Sequence, residues 1–139
     1  MKFIFISIGA ALLAYLGNFG LYRSLGARAA ATVVPWWEEA VKLGAALAVP
    51  LVPMLFVHVA FGALEFVYDL WRGRNDALFL GVLTLAGHGL AGSVAMLVAD
   101  HLGALWAVYA AAGVTHMLYN TALVYLVLPT LGANIGARR

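Results

Sequence analysis

The sequence predicts an all-α membrane protein, a polytopic bundle of about five transmembrane helices. Hydrophobic residues make up 65% of the chain and charged residues only 10%, with a mean hydropathy of +0.96, which is far from the balance of soluble globular domains. Apolar stretches of about 20 residues, the length that crosses a bilayer as a helix, recur along most of the chain. These stretches are continuously apolar, whereas the strands of a membrane β-barrel alternate apolar and polar residues.

Prolines and short polar connectors divide the chain into five apolar segments. Pro50 and Pro53 lie between the second and third segments, and Pro129 follows the fifth, because proline ends a helix. The connectors RSLG, RGRND and DH separate the others, so residues 100–101 are expected in a loop. No connector is long enough to divide two domains, and we expect residues 1–139 to form one integral-membrane domain. The predicted spans are 3–22, 27–49, 53–71, 77–99 and 103–128.

The basic residues predict how these spans are oriented. With five spans, six arginines fall on one side of the membrane and only Lys2 falls on the other. Because Lys and Arg are enriched in cytoplasmic loops, we expect the N-terminus outside, the C-terminus in the cytoplasm and the protein in the cell membrane. The six arginines are Arg23, Arg28, Arg72, Arg74, Arg138 and Arg139.

Composition also excludes several classes of function. The chain has no cysteine, which rules out disulfides, a thiolate nucleophile and cysteine-ligated zinc or iron–sulfur sites. The net charge is +2, but the basic residues are few and dispersed among apolar spans, so nucleic acid is not an expected partner. The expected partner is the lipid bilayer.

Ionisable residues occur inside the spans, where a lipid-facing helix would avoid them. Such residues normally face a bundle interior or a water-filled cavity, and each is a candidate functional residue. At a rise of about 1.5 Å per residue from the proposed cytoplasmic ends, Glu38, Glu39, His88 and His116 all lie about 16 to 18 Å deep. Asn120 lies one turn nearer the cytoplasm on the same face as His116. The depths therefore predict that three helices bring these groups together.

Three further polar residues, Glu65, Lys42 and His58, lie inside the predicted spans. Glu65 is shallower, about 9 Å deep by the same rise. Lys42 follows Glu38 at the i,i+4 spacing of a helical ion pair, which would serve packing alone. His58 belongs to no recognised motif, and a hydrogen bond to a neighbouring helix explains it as well as a functional role does.

Small residues accompany the polar ones. Gly87, Gly89 and Gly92 surround the histidine of the fourth span, Gly62 precedes Glu65, and another glycine precedes His116 by three residues. Small residues let helices approach closely. We therefore expect the helices to be in tight contact where the polar groups lie.

Four segments resemble, in order, the motifs of PrsW-type intramembrane proteases. PWWEEAVK resembles their Pro-x-x-Glu-Glu-x-x-Lys segment, FGALEFVY resembles their Gly-x-x-Glu motif, and GHGLAG resembles their histidine-bearing helix. HMLYNT resembles the terminal His-x-x-x-Asn motif, which is shared with the CAAX prenyl endopeptidase and Abi (CPBP) superfamily. The resemblance runs from Pro35 to Thr121, which is most of the chain.

The resemblance implies an intramembrane endopeptidase, a hydrolase that cleaves a membrane-protein or prenylated-peptide substrate. Peptide hydrolysis needs a base that activates water, donors that bind the oxyanion and an acid for the leaving amine. One of Glu38 and Glu39, with His88, would activate the water molecule. His116 and Asn120 would bind the oxyanion, because histidine and asparagine both carry N–H donors.

The identity of the base stays open between two glutamates. The resemblance favours Glu38, whereas i,i+4 pairing of Glu38 with Lys42 would leave Glu39 free. Phe66 stands where the second motif usually has Asn, so the resemblance implies a supporting role for Glu65. Lys42 is the other expected supporting residue.

The sequence leaves other chemistries open. No cofactor is expected, although Glu39, His88 and His116 make a chemically reasonable zinc set with one open position. The sequence contains no His-Glu-x-x-His motif, and a glutamate-dependent site is favoured. A b-type haem held by His88 and His116 is an alternative, as are a non-catalytic proton or ion pathway and a membrane scaffold.

Overall fold

The computed structural model describes residues 2–26, 32–48, 54–73 and 76–127, and the regular structure within these ranges is helical, without a strand. Three helices are long and apolar enough to cross a membrane, namely Ile4–Leu25, Met54–Trp71 and Ala77–Leu102. The protein is therefore an all-α integral membrane protein. The helices are α1 (Lys2–Leu25), α2 (Val34–Ala48), α3 (Met54–Trp71), α4 (Ala77–Leu102) and α5 (Leu105–Ala122), followed by a π-helical segment, Leu123–Val127.

Helix α4 ends later than the sequence predicted. Asp100 and His101 were expected in a loop, but both lie in the last turns of α4, where they are exposed. The ring of His101 bonds the Leu97 carbonyl through Nδ1 at 2.8 Å. The helix ends instead at Gly103, whose φ of 62° lies in the left-handed region and whose N–H donates to the Ala99 carbonyl. Glycine adopts this conformation without a steric cost, so it sets the boundary that the polar pair was expected to set.

The described part of the second predicted span is short. Helix α2 has 15 residues, about 22 Å at the rise of an α-helix, against about 30 Å of hydrocarbon. Residues 27–31 and 49 of that predicted span lie outside the described residues, as do residues 128–139 with Pro129 and the last two arginines. The count of five spans therefore stays a prediction.

The helices are joined through small apolar side chains. Helices α3 and α4 make the most extensive contact, α5 packs on α4, and α2 contacts α1, α3 and α5. One buried cluster joins α1, α2 and α3, and a smaller one joins α4 and α5. Their buried members are Ala10, Ala14, Val41, Ala45, Val57 and Phe61 in the first cluster, and Ala95, Val108 and Ala112 in the second. The large apolar side chains lie mostly on the outer surface, as expected of helices that face lipid.

Helices α3 and α4 carry the same His-x-x-x-Gly pattern and interlock through it. A Cβ atom on Gly62 would lie 3.0 Å from the Leu85 Cα and 3.2 Å from the His88 Cβ, and one on Gly92 would lie 2.7 Å from the His58 Cβ. Each histidine thus packs against the glycine of the other helix. The expectation that glycine permits close contact beside the polar groups is confirmed here, because any side chain would push the two helices apart.

Of the other glycines that the sequence places near the polar residues, two act in the same way and one does not. Gly87 faces the ring of Tyr119, and Gly113 faces the ring of Trp36, in each case at a distance of 2.5 Å from an added Cβ. These contacts bring α4 and α2 close to α5. Gly89 has no neighbouring atom within 4 Å of such a Cβ, so it has no part in this packing.

Candidate active site

Polar side chains from four helices meet in the interior. Six of them, which we call the polar cluster, are only 0% to 4% exposed. Helix α2 contributes three, and α3, α4 and α5 contribute one each. The members are Glu38, Glu39, Lys42, His58, His88 and His116. The predicted meeting of the two glutamates with the histidines of α4 and α5 is confirmed.

Lys42 lies at the centre of the polar cluster. Its Nζ is 2.7 Å from Glu39 Oε1, 3.0 Å from His88 Nδ1 and 3.4 Å from Glu38 Oε2. An ammonium group has three N–H donors and no acceptor. Each donor faces one acceptor when the lone pair of His88 lies on Nδ1. The face of the Phe61 ring closes the site beneath Lys42, at 5.1 Å from Nζ to the ring centroid.

Glu39 uses both of its carboxylate oxygens inside the polar cluster. Oε1 accepts from Lys42 and also from His116 Nδ1, at 2.8 Å, while Oε2 lies 2.6 Å from His58 Nε2. Bonds of this kind, with charged partners, are short and strong. Glu39 therefore links α2 to α3 and α5, and its oxygens have little capacity left for another ligand.

His58 faces an acceptor on each side of its ring. Its Nδ1 is 3.0 Å from the Met54 carbonyl, which can only accept, so Nδ1 is a donor. Its Nε2 faces the Glu39 carboxylate, which is a second acceptor. His58 and Lys42 thus both pair with the buried Glu39 carboxylate, and close partners of this kind offset the cost of burying its charge.

Glu38 and His116 retain unused hydrogen-bonding capacity toward each other. Glu38 Oε1 accepts from Asn18 Nδ2 of α1 at 2.6 Å, whereas Oε2 has only the 3.4 Å contact with Lys42. His116 Nδ1 donates a hydrogen bond to Glu39 Oε1, so in the neutral imidazole Nε2 carries the lone pair. Nε2 lies 3.8 Å from Glu38 Oε2 and forms no hydrogen bond with any described residue. These two atoms are therefore the best placed to meet a water molecule.

His88 joins the polar cluster to Glu65 at its edge. His88 Nε2 is 2.8 Å from Glu65 Oε2, and a carboxylate accepts, so Nε2 is the protonated nitrogen. With Nδ1 accepting from Lys42, both nitrogens of His88 are occupied. The side chain of Glu65 is 41% exposed, whereas that of His88 is 2% exposed.

Asn120 lies beside the polar cluster but is not bonded into it. It follows His116 by one turn of α5 and is half-buried. Its side chain forms no hydrogen bond with the part of the chain that the structure describes. Its amide N–H groups are thus not committed to the contacts that hold the other site residues.

Two residues of the site were not selected from the sequence. His58 lies on α3 at positions i, i+4 and i+7 with Gly62 and Glu65, so helical periodicity places all three on one face. That shared face is the signal that would have included it. Asn18 is the single amide of the first predicted span, and its contact with Glu38 depends on how α1 packs on α2.

A group of described residues has spacing near that of a metal site, but its surroundings do not suit one. Atoms of Glu38, His88 and His116 lie within 4.8 Å of one another. This set has Glu38 where the sequence favoured Glu39. The Lys42 ammonium lies 3.0 Å from His88 Nδ1 and 3.4 Å from Glu38 Oε2. It would repel a divalent ion bound by those atoms, so the residues fit a network centred on lysine better than a zinc site.

The geometry is suited to proton transfer in an enclosed site. It combines a carboxylate and an imidazole with free acceptor atoms, a fixed ammonium beside them and an amide one turn away. Comparisons of the chain with models of protein families, with curated proteins and with solved structures found no match. Function is therefore argued from the chemistry of the site.

Proposed function

We propose that this protein is a glutamate-dependent intramembrane endopeptidase that hydrolyses a peptide bond of a membrane-protein or prenylated-peptide substrate. The observation that carries the proposal is the buried pair of Glu38 Oε2 and His116 Nε2, which face each other at 3.8 Å with acceptor capacity to spare. The resemblance of four ordered segments to PrsW-type and CPBP proteases supports the same chemistry. Membrane lipid surrounds the protein, and no nucleic acid is involved.

The pair is spaced to hold the attacking water. Two acceptor atoms 3.8 Å apart can each receive a hydrogen bond of about 2.8 Å from the same water oxygen. Glu38 takes one proton as the water oxygen forms its bond to the carbonyl carbon of the substrate. The carbonyl oxygen becomes an oxyanion that the Asn120 amide stabilises. Glu38 then returns the proton to the leaving nitrogen as the C–N bond breaks.

This assignment selects one base from the two that the sequence left open. Glu39 has three short contacts through its two oxygens, so it serves as the anchor of the network. Glu38 has one short contact, from Asn18, and is the better base. His116 takes the place beside the water that the sequence suggested for His88, because His88 is held by Lys42 and Glu65 on opposite sides of its ring.

The rival readings are less well supported by the same distances. A haem with two histidine ligands needs the porphyrin to lie between the imidazoles. The rings of His88 and His116 are in edge-to-face contact, with centroids 4.8 Å apart, which leaves no space for it. A proton pathway or a scaffold would not require that Glu38 and His116 each keep an atom free to accept a hydrogen bond.

We further propose that the chain crosses the cell membrane five times, with its N-terminus outside and its C-terminus in the cytoplasm. Helices α1, α3 and α4 would be three of the spans, and the segments that contain α2 and α5 would be the other two. Six arginines lie on the proposed cytoplasmic side and only Lys2 lies on the other, and this difference supports the orientation.

The proposal is tested with purified protein in liposomes and a reporter library of single-span and prenylated substrates. Glu38→Gln keeps the shape of the side chain but removes the proton acceptor, so turnover should fall by a factor on the order of 10² to 10⁴. His116→Gln should cause a loss of similar size. Asp100→Asn, an exposed carboxylate at the end of α4, is the control and should cleave like the parent.

Other measurements separate the rival chemistries. Cleavage should persist in a chelator, because no metal step is needed, and the purified protein should lack a Soret band. If Glu38→Gln and His116→Gln both retain parental turnover, the assigned site is wrong. Loss of activity in the chelator with recovery on addition of zinc would replace the glutamate-dependent reading.

A further inference from the structure

We propose that Glu65 is a positioning residue that acts on Glu38 through His88 and Lys42. The chain of contacts is continuous from one carboxylate to the other. Glu65 Oε2 accepts from His88 Nε2 at 2.8 Å, His88 Nδ1 accepts from Lys42 at 3.0 Å, and Lys42 lies 3.4 Å from Glu38 Oε2. The assignment of protonation states does not depend on the reaction, whereas the effect on turnover rests on the proposed peptidase function.

The first step is the choice of tautomer. A neutral imidazole carries its proton on one nitrogen and a lone pair on the other. The carboxylate of Glu65 accepts a hydrogen bond, so it holds the proton of His88 on Nε2. The lone pair is thereby placed on Nδ1, which faces inward. Orientation of a ring by a carboxylate on its far side is an established way to set its chemistry.

The second step is the placement of the ammonium. With a lone pair on His88 Nδ1, all three donors of Lys42 face acceptors. In the other tautomer an N–H of His88 would meet an N–H of Lys42 across 3.0 Å. Lys42 would lose one of its partners and would move within a site where it is fully buried. Its contact with Glu38 Oε2, the atom proposed to take the proton of water, would change with it.

Packing holds this chain of contacts in register. Gly62, one turn before Glu65, lies against His88, with 3.2 Å between an added Cβ and the His88 Cβ. The ring of Phe61 meets that of His88 edge to face, with centroids 6.4 Å apart. Phe61 also lies under Lys42. The imidazole is thus enclosed on the side of α3, and the bond to Glu65 selects between its two tautomers.

Glu65 is a carboxylate in an unusual place. Glu65 lies within a helix long and apolar enough to span the membrane, and 41% of its side chain is exposed. An ionisable group in such a helix is costly and normally has a function. His88 and Lys42 lie between Glu65 and the reacting atoms at Glu38, so Glu65 does not touch those atoms. A positioning role through His88 explains its presence.

The test is nitrogen NMR of the protein labelled with ¹⁵N-histidine, which reports the protonated nitrogen of each ring. The chain has only four histidines, and variants that lack each one assign the signals. We expect His88 to be protonated on Nε2 in the parent. Glu65→Gln, whose amide oxygen still accepts, should keep this tautomer, and Glu65→Leu should convert His88 partly or wholly to the Nδ1-protonated form.

Turnover gives a second readout of the same variants. Glu65→Leu should lower cleavage by about 10- to 100-fold, and Glu65→Gln should restore most of it; Asp100→Asn is the control for loss of a carboxylate. A parent in which His88 is protonated on Nδ1, or a Glu65→Leu spectrum identical to the parent spectrum, overturns the inference. If Glu65→Leu does not fold, the spectra of the parent and Glu65→Gln decide. The spectra also decide if no cleavage is found, since they do not depend on peptidase activity.

Discussion

Lys42 is the residue on which the buried charges of this protein depend. Two carboxylates and one ammonium lie within five consecutive residues of α2, all buried in a protein whose exterior is apolar. Removing such charges from water is costly, and close partners with good geometry must offset that cost. Lys42 contacts both glutamates and His88, so the side chain that looks like a simple i,i+4 partner of Glu38 is the centre of the site.

Lys42→Met should destabilise the protein more than an ordinary substitution. The two carboxylates would remain buried without their cation, and we expect the free energy of unfolding to fall by about 3 to 5 kcal/mol. Adding Glu39→Gln should recover part of this loss, because the uncompensated charge is removed with it. Unfolding in mixed detergent measures both, with the exposed Ser93→Ala as control. Equal stability of Lys42→Met and the parent would contradict the central role of Lys42.

At the scale of the helices, glycine decides which polar groups can meet. His58 and Gly62 on α3 face Gly92 and His88 on α4, so two identical four-residue spacings interlock. The spacing brings both imidazoles inward without a bulky side chain between the helices. Inside a membrane the hydrophobic effect does not drive helices together. They gain contact area because small residues let them approach closely.

Gly92→Ala and Gly89→Ala should have opposite effects although they lie one turn apart. An added Cβ at position 92 would be 2.7 Å from the His58 Cβ, whereas position 89 has open space within 4 Å. Overpacking costs about 1 to 3 kcal/mol, so Gly92→Ala should lower the midpoint of thermal unfolding. Gly89→Ala should leave it unchanged or raise it, because alanine favours the helix over glycine. Equal midpoints for the two variants would show that the α3–α4 contact is not tight.

The whole molecule encloses the polar cluster beside small apolar side chains and has an apolar exterior. The polar cluster links α2, α3, α4 and α5 through side-chain hydrogen bonds, and Asn18 adds α1 by its bond to Glu38. Helix α1 is also attached by the bond from Trp37 Nε1 to the Ala14 carbonyl, at 3.3 Å, and by small apolar side chains. The site is therefore enclosed by helices whose outer faces suit lipid.

Five spans with the N-terminus outside would place the end of α3 and the end of α4 on opposite sides of the membrane. The chain has no cysteine, so single cysteines report accessibility without background. Trp71→Cys, at an 81% exposed position, should react with an impermeant maleimide only after cell lysis, and Leu102→Cys, at a 67% exposed position, should react in intact cells. The reverse pattern would invert the orientation, and labelling of both in intact cells would contradict the number of spans.

Prediction from the sequence succeeded where a local property was enough. Hydropathy over about 20 residues identified the all-helical membrane class. The rise of a helix, which predicts one depth for Glu38, Glu39, His88 and His116, correctly predicted that these side chains meet. The same local reasoning failed at residues 100–101, where polarity suggested a loop but the helix continued to the glycine that could end it. It left His58 open between a hydrogen bond to a neighbouring helix and a functional role, because its partner, Glu39, lies 19 residues away on another helix.

The amino-acid sequence by itself determined the class of protein and predicted which ionisable residues of three helices meet, because both follow from composition and position along a helix. Only the tertiary structure decided that Glu39 is saturated, that Glu38 and His116 face each other, and that Glu65 reaches His88. Depth is a single coordinate. The other coordinates of a side chain depend on the rotation of its helix and on the contacts between helices. Those contacts are made by residues far apart in the chain.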